Sequence, residues 1–141
     1  MGFTLKVDGP EMIDLGMDHI LSISFDMDTP DDSNARSTDV GVGTTIRGKI
    51  LTALDGAAAD SSINIAKWSL VPAENITCYR NLQVESISAS QVVRKYTLTH
   101  AFVVDYIEDF GKDEGVGEFT LKVRQKKDKT DLIRIDGGYG L

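Results

Sequence analysis

Between Val92 and Tyr106 the even positions carry Val92, Tyr96, Leu98, Phe102, Val104 and Tyr106, with Arg94 and His100 set among them. Strict period-two alternation over so many residues fits an extended strand with one face inward; a helix would scatter these side chains around its circumference. A strand must pair with others, so this segment commits the chain to a β-rich fold. Shorter stretches repeat the signal. Phe3, Leu5 and Val7 share one face before Asp8-Gly9-Pro10 breaks the pattern, and Leu21, Ile23, Phe25 and Met27 alternate with Ser22, Ser24 and Asp26. Ile46 and Ile50 flank Gly48 on one face, the alternation of ITCYRNLQVESIS is uneven, and Phe119, Leu121 and Val123 oppose Lys122 and Arg124. DLIRI at 131–135 makes a last short strand before GGYGL.

The period changes once. Asp60 suits a helix N-cap, Ile63, Ala66 and Leu70 recur at helical spacing, and Pro72 ends the pattern. Trp68 and the aromatic even face read as core. The expected architecture is mainly β: about seven strands in two packed antiparallel sheets, forming a barrel or sandwich, with one short helix. A chain of 141 residues fits one domain, 1–141, and can bury about two thirds of the surface its unfolded form exposes.

Charge and motifs exclude several function classes. The net charge of -7 argues against nucleic acid and anionic lipid as partners. No window reads as a membrane span, and the N-terminal MGFTLKVDGPE has no signal-like pattern, so synthesis in the cytosol without a cleaved signal is expected, with no membrane insertion. Cys78 is the only cysteine and is expected to lie buried in a strand. His19 and His100 are the only histidines, and no zinc, nucleophile-elbow or phosphate-loop motif is present. A Cys78–His100 pair has nothing local to activate its thiol. GVGTTI at 41–46 lacks the third glycine of a dinucleotide fingerprint and reads as a turn. No catalytic residue, cofactor or metal is therefore assigned.

The stretch FDMDTPDDSNARSTD at 25–39 carries Asp26, Asp28, Asp31, Asp32, Arg36 and Asp39, with no apolar residue larger than alanine after Met27 apart from Pro30. Its carboxylates cluster near calcium spacing. However, Pro30 stands at the fifth position of an EF-hand loop, Asp31 replaces the turn glycine, and Ser37 stands where a bidentate glutamate is needed. A solvated loop explains the composition as well, although its length suggests function. At the other end of the chain, Lys122, Arg124, Lys126 and Lys127 form a basic strand end without the aromatics of a single-strand nucleic-acid platform. In an assembling protein, this basic face could meet the acidic loop of a neighbour.

Several segments in order resemble the hemolysin-coregulated protein family, the tube protein of type VI secretion, and the related tail-tube proteins of contractile phages. FTLKVDG is similar to the family's opening strand and turn, and ILSISF with its polar loop to the second strand and extended loop. INIAKWSL sits where the family places its helix; VVRKYTLTHAFVVDYIEDFG followed by GEFTLKVRQKK is similar to its later strand pair. The resemblance implies hexameric rings that stack into a hollow tube inside a contractile sheath. It also implies contacts with sheath, baseplate or spike proteins, cargo in the lumen, and export of the tube by the apparatus. Type VI secretion and a phage-like or extracellular particle both fit. The rival reading is a monomeric β-barrel that binds a small apolar ligand or a partner peptide.

Overall fold

A computed structural model describes residues 1–28, 41–50, 57–112, 117–126 and 133–141. In chain order its elements are β1 (Gly2–Asp8), β2 (Ile13–Leu15), β3 (Ile20–Asp28), β4 (Gly41–Ile50), α1 (Ala57–Ser69), a 3₁₀ turn (Ile76–Cys78), β5 (Arg80–Ser88), β6 (Gln91–Asp109), β7 (Gly117–Gln125), β8 (Arg134–Asp136) and β9 (Tyr139–Gly140). All pairings are antiparallel, in the order β2-β1-β5-β6-β7-β4-β3, with β8 and β9 also on β6.

The long alternation forms the spine. The first part of β6 pairs with β5, and the part after Ala101 pairs with β7. One continuous sheet therefore has two halves, and their apolar faces pack together. Leu5, Val7, Leu82, Val84 and Leu98 from one half meet Ile46, Phe119, Leu121 and Val123 from the other in one cluster. Phe25 of β3 stacks on Tyr96 of β6 with ring centroids 4.0 Å apart, joining the halves directly. The fold is mainly β, with one α-helix among the described residues, as the alternation and the single helical stretch implied.

Four local expectations are corrected. First, β6 does not keep one face inward. His100 has φ of 57°, and a register shift falls between Val103 and Asp105. Beyond His100 the core-facing side chains are thus Ala101, Val103 and, past the bulge, Tyr106, and Val104 is exposed. Second, α1 buries Ser61, Ser62, Ile65 and Trp68, leaving Ile63 and Leu70 in solvent. Trp68 has the most area to bury and sets the helix's rotation, while Asp14 N–H donates to Ser61 Oγ at 3.0 Å and Asn64 Nδ2 donates to the Met12 carbonyl at 3.1 Å, tying the helix to the β1–β2 arm. Asp60 lies inside the first turn instead of capping it. Third, Gly41 and Gly43 are strand residues paired with Asp28 and Asp26, so GVGTTI is not a turn. Fourth, Cys78 is buried at the end of the 3₁₀ turn, just before β5.

Candidate assembly surface

Register across the second half of the sheet brings the predicted charged residues together. Asp26 of β3 pairs with Gly43 of β4, Gly43 with Arg124 of β7, and Arg124 with Phe102 of β6. Side chains in one cross-strand row share a face. A Cβ on Gly43 would lie 3.3 Å from Asp26 Oδ1 and 3.5 Å from Arg124 Cγ, so the glycine forms a floor between an acid and a base. The next row runs Ser24, Thr45, Lys122 and Asp105.

This solvent face carries Arg47, Lys49, Lys122 and Arg124 on the two central strands. Asp26 stands on one flanking strand and Asp105 and Asp109 on the other, with Glu118 in the centre. Arg47 Nη2 and Glu118 Oε2 are 3.1 Å apart and half exposed, a pair worth a few tenths of a kcal/mol at most. Lys126 follows the end of β7; its N–H donates to the His100 carbonyl at 3.0 Å and its ammonium lies 5.5 Å from the Tyr79 ring centroid. Asp28 ends β3 opposite Gly41. Asp31, Asp32, Arg36, Asp39 and Lys127 lie outside the described residues.

The sequence reading missed the sheet's edges. Among the described residues, β3 pairs only with β4, so its outer edge is unpaired. β6 pairs with β5 only up to Ala101, and β7 takes one edge of Ala101–Asp109, so the other edge from Phe102 onward is also unpaired among the described residues. Among the described residues, no strand therefore pairs with either lateral edge of this four-stranded half-sheet. Leu21 and Met27 on β3, and Val104, Ile107 and the neighbouring Phe110 at β6, expose apolar surface beside these edges. Alternation could not disclose this, because it reports faces and not pairings.

Among the described residues, no group of three or more His, Cys, Asp or Glu side chains is placed to hold a metal ion. No described helix is long and apolar enough to cross a membrane.

No protein-family model matches this chain, and no curated protein does so. Solved structures share its fold. Hcp1 from Flavobacterium johnsoniae aligns with a TM-score of 0.57 and 18% identity over 99% of this chain and 97% of that one. A chain of the anti-feeding prophage baseplate, six-fold symmetrised, aligns at 0.54 and 15% identity over 96% and 93%. A chain of the sheath–tube complex of an extracellular contractile injection system, PVC, in its extended state, aligns at 0.52 and 10% identity over 97% and 89%. The resemblance read from the sequence is matched at the level of fold, end to end.

Proposed function

We propose that this chain is a structural, non-enzymatic subunit that assembles into hexameric rings, stacked as the inner tube of a contractile injection apparatus. The observation that carries the reading is the pair of open edges. Successive strands of the half-sheet run antiparallel, so β3 and β6 point in opposite directions. Joining the β3 edge of one copy to the β6 edge of the next continues the alternation without a break. Such a contact is head-to-tail and heterologous, and it closes into a ring when the rotation permits. Six copies contribute ~24 strands, which at ~4.8 Å spacing enclose a barrel roughly 40 Å across.

In that ring the core-bearing layer lies outside and the solvent face of the half-sheet lines the lumen. The lumen is then polar and charge-balanced, with basic stripes along β4 and β7 and acids toward the junctions, a surface that contacts cargo without one dominating sign. The acidic stretch with Asp28, Asp31, Asp32, Arg36 and Asp39 is the connection that reaches a neighbouring subunit or ring, where Lys126 and Lys127, which follow β7, complement it in sign. Sheath, baseplate and spike proteins are the further partners of such a tube, and export as part of the tube is its route out of the cell.

Negative-stain electron microscopy with light scattering across a salt series tests the reading. Rings of one diameter are expected, with stacks that loosen as salt rises. Reversal of Asp28, Asp31 and Asp32 to lysine is expected to weaken stacking while leaving single rings. A monomer at every concentration and salt level would overturn the ring.

A further inference from the structure

Charge on the four-stranded half-sheet is sorted by strand. The two central strands hold its bases, Arg47 and Lys49 on β4 and Lys122 and Arg124 on β7, with Glu118 as their one acid. The two outer strands hold acids and no bases: Asp26 and Asp28 on β3, and Asp105, Glu108 and Asp109 on the part of β6 beyond Ala101. Asp26, Asp105, Glu108 and Asp109 are exposed. Among the described residues no base stands within ion-pairing distance of these four; Glu108 accepts from the Tyr106 hydroxyl at 2.6 Å.

Inside one chain this sorting costs little, because each acidic strand has a basic strand one spacing away, about 4.8 Å. Between copies the balance changes. In the head-to-tail ring the β3 edge of one copy meets the β6 edge of the next, so acidic strand lies against acidic strand and the basic strands stand one spacing back on each side. Register does not alter this. Sliding β3 along β6 changes which carboxylates are nearest but brings no base to the seam, and like charges on adjacent strands are destabilising. At about 10 mM ionic strength the screening length is about 30 Å, the length of the nine-residue β3, so the repulsion acts along the whole seam. At about 1 M it shrinks to about 3 Å, leaving backbone pairing and the apolar fringe of Leu21, Met27, Val104 and Ile107 to hold the contact.

We propose that an acidic seam opposes each lateral contact between copies, so that salt promotes ring closure, the reverse of its effect on stacking. The seam rests on the ring reading and adds to it what restrains the contact: backbone pairing joins the edges, and charge keeps free copies apart until it is screened.

A charge-reversal cycle separates the seam from general repulsion. The whole chain carries a net charge of -7, so the loss of any acid weakens repulsion between copies. Asp26→Lys or Asp105→Lys alone sets unlike charges across the seam and is expected to lower the concentration at which rings form about threefold to tenfold at about 10 mM sodium chloride. The two reversals in one chain set like charges there again. The double variant is therefore expected to need more protein than either single variant, although its net charge is closer to zero. Asp8→Asn with Asp14→Asn changes net charge as much as one reversal but lies on the other half of the sheet, and is expected to shift the threshold by about twofold at most. Light scattering and negative-stain microscopy read the threshold from about 10 mM to about 1 M salt, and monomer denaturation checks that each variant is folded. For the unmodified protein the threshold is expected to fall as salt rises. Rings whose threshold is unmoved or raised by salt, or a double variant that assembles more readily than both single variants, would overturn the seam while leaving the ring standing. The absence of rings from the unmodified protein at every salt level would instead overturn the ring reading, and the seam with it.

Discussion

Arg80, the first residue of β5, is a buried cation whose partner stands partly in water. Its side chain is 2% exposed, that of Glu11 is 40% exposed, and Nη2 lies 3.3 Å from Glu11 Oε2. Nε donates to the Thr77 carbonyl at 3.0 Å, the guanidinium sits 5.4 Å from the Trp68 ring centroid, and the backbone of Gly9 passes so close that a Cβ there would lie 2.8 Å from Arg80 Cδ. Burial lowers the Arg80 pKa from its ordinary value, and Glu11 pulls it back up. The two ends of this ion pair are therefore not equivalent. Glu11→Gln leaves the buried guanidinium without its counter-charge. A fully buried pair broken in this way costs about 3–5 kcal/mol; with one partner half in water, about 2 kcal/mol is expected. Arg80→Met removes the charge itself, and the freed carboxylate simply hydrates. Its cost is the bond to Thr77 and the ring contact, about 1 kcal/mol each, offset by the desolvation no longer incurred, leaving a net ~1 kcal/mol. The double variant should then be no worse than Arg80→Met alone. Urea unfolding followed by the single tryptophan, below the concentration at which scattering detects assembly, measures this. A loss of 2 kcal/mol moves the midpoint by about 1 M at a slope near 2 kcal/mol/M. If Arg80→Met costs more than Glu11→Gln, or the two losses add, the asymmetry argument is wrong.

Two further perturbations follow from close packing and from titration. At Gly48 an added Cβ would come within 2.5 Å of the Phe119 ring and 2.9 Å of the His19 carbonyl. Gly48→Ala is therefore expected to destabilise by about 2 kcal/mol, the overpacking cost exceeding the entropy gained in the unfolded chain, and a denaturation midpoint at or above that of the unmodified protein would refute it. Burial pushes the Cys78 thiol above its ordinary 9.0, and burial followed by the hydrogen bond to Glu108 Oε1 at 2.6 Å pushes the Tyr106 hydroxyl above 10.0. Both folded-state values are raised, so the unfolded chain releases these protons first and stability, complete below pH 9, falls as pH rises beyond it. Cys78→Ala with Tyr106→Phe should flatten that fall; an alkaline limb unchanged in the double variant would show that other groups cause it.

The sequence exposed the strands and hid their phases. Alternation from Val92 to Tyr106 located the spine, yet the left-handed backbone of His100 and the bulge after Val103 rotate the later part of β6, and no side-chain pattern announces either. The β5–β6 turn is carried by Ala89 and Ser90, both at positive φ, with neither glycine nor asparagine to mark it. In the helix, Ile63 and Leu70 matched the helical period as well as Ile65 and Trp68 did; the larger indole won the core. Asp26 and Arg124 were legible as charges, but their common row depends on two independent registers, β3 on β4 and β4 on β7.

Edge protection differs between the two halves of this sheet, and the difference bears on function. Along the first half of β6 the chain covers itself: β5 takes one side, and β8 and β9 take the other, closing over Lys95–Thr97 and Gln91–Val92. Leu141 N–H donates to the Ser90 carbonyl and seals that end. Beyond Ala101 no described strand repeats the device on the outer side, although an open edge invites indiscriminate pairing. What guards it is Asp105, Glu108 and Asp109, with a bulge beside them. Charges and a bulge discourage a random strand while remaining compatible with one that brings matched bases and apolar knobs in register. In the ring proposed above, the strand of complementary direction that meets this guarded edge is β3 of the next copy.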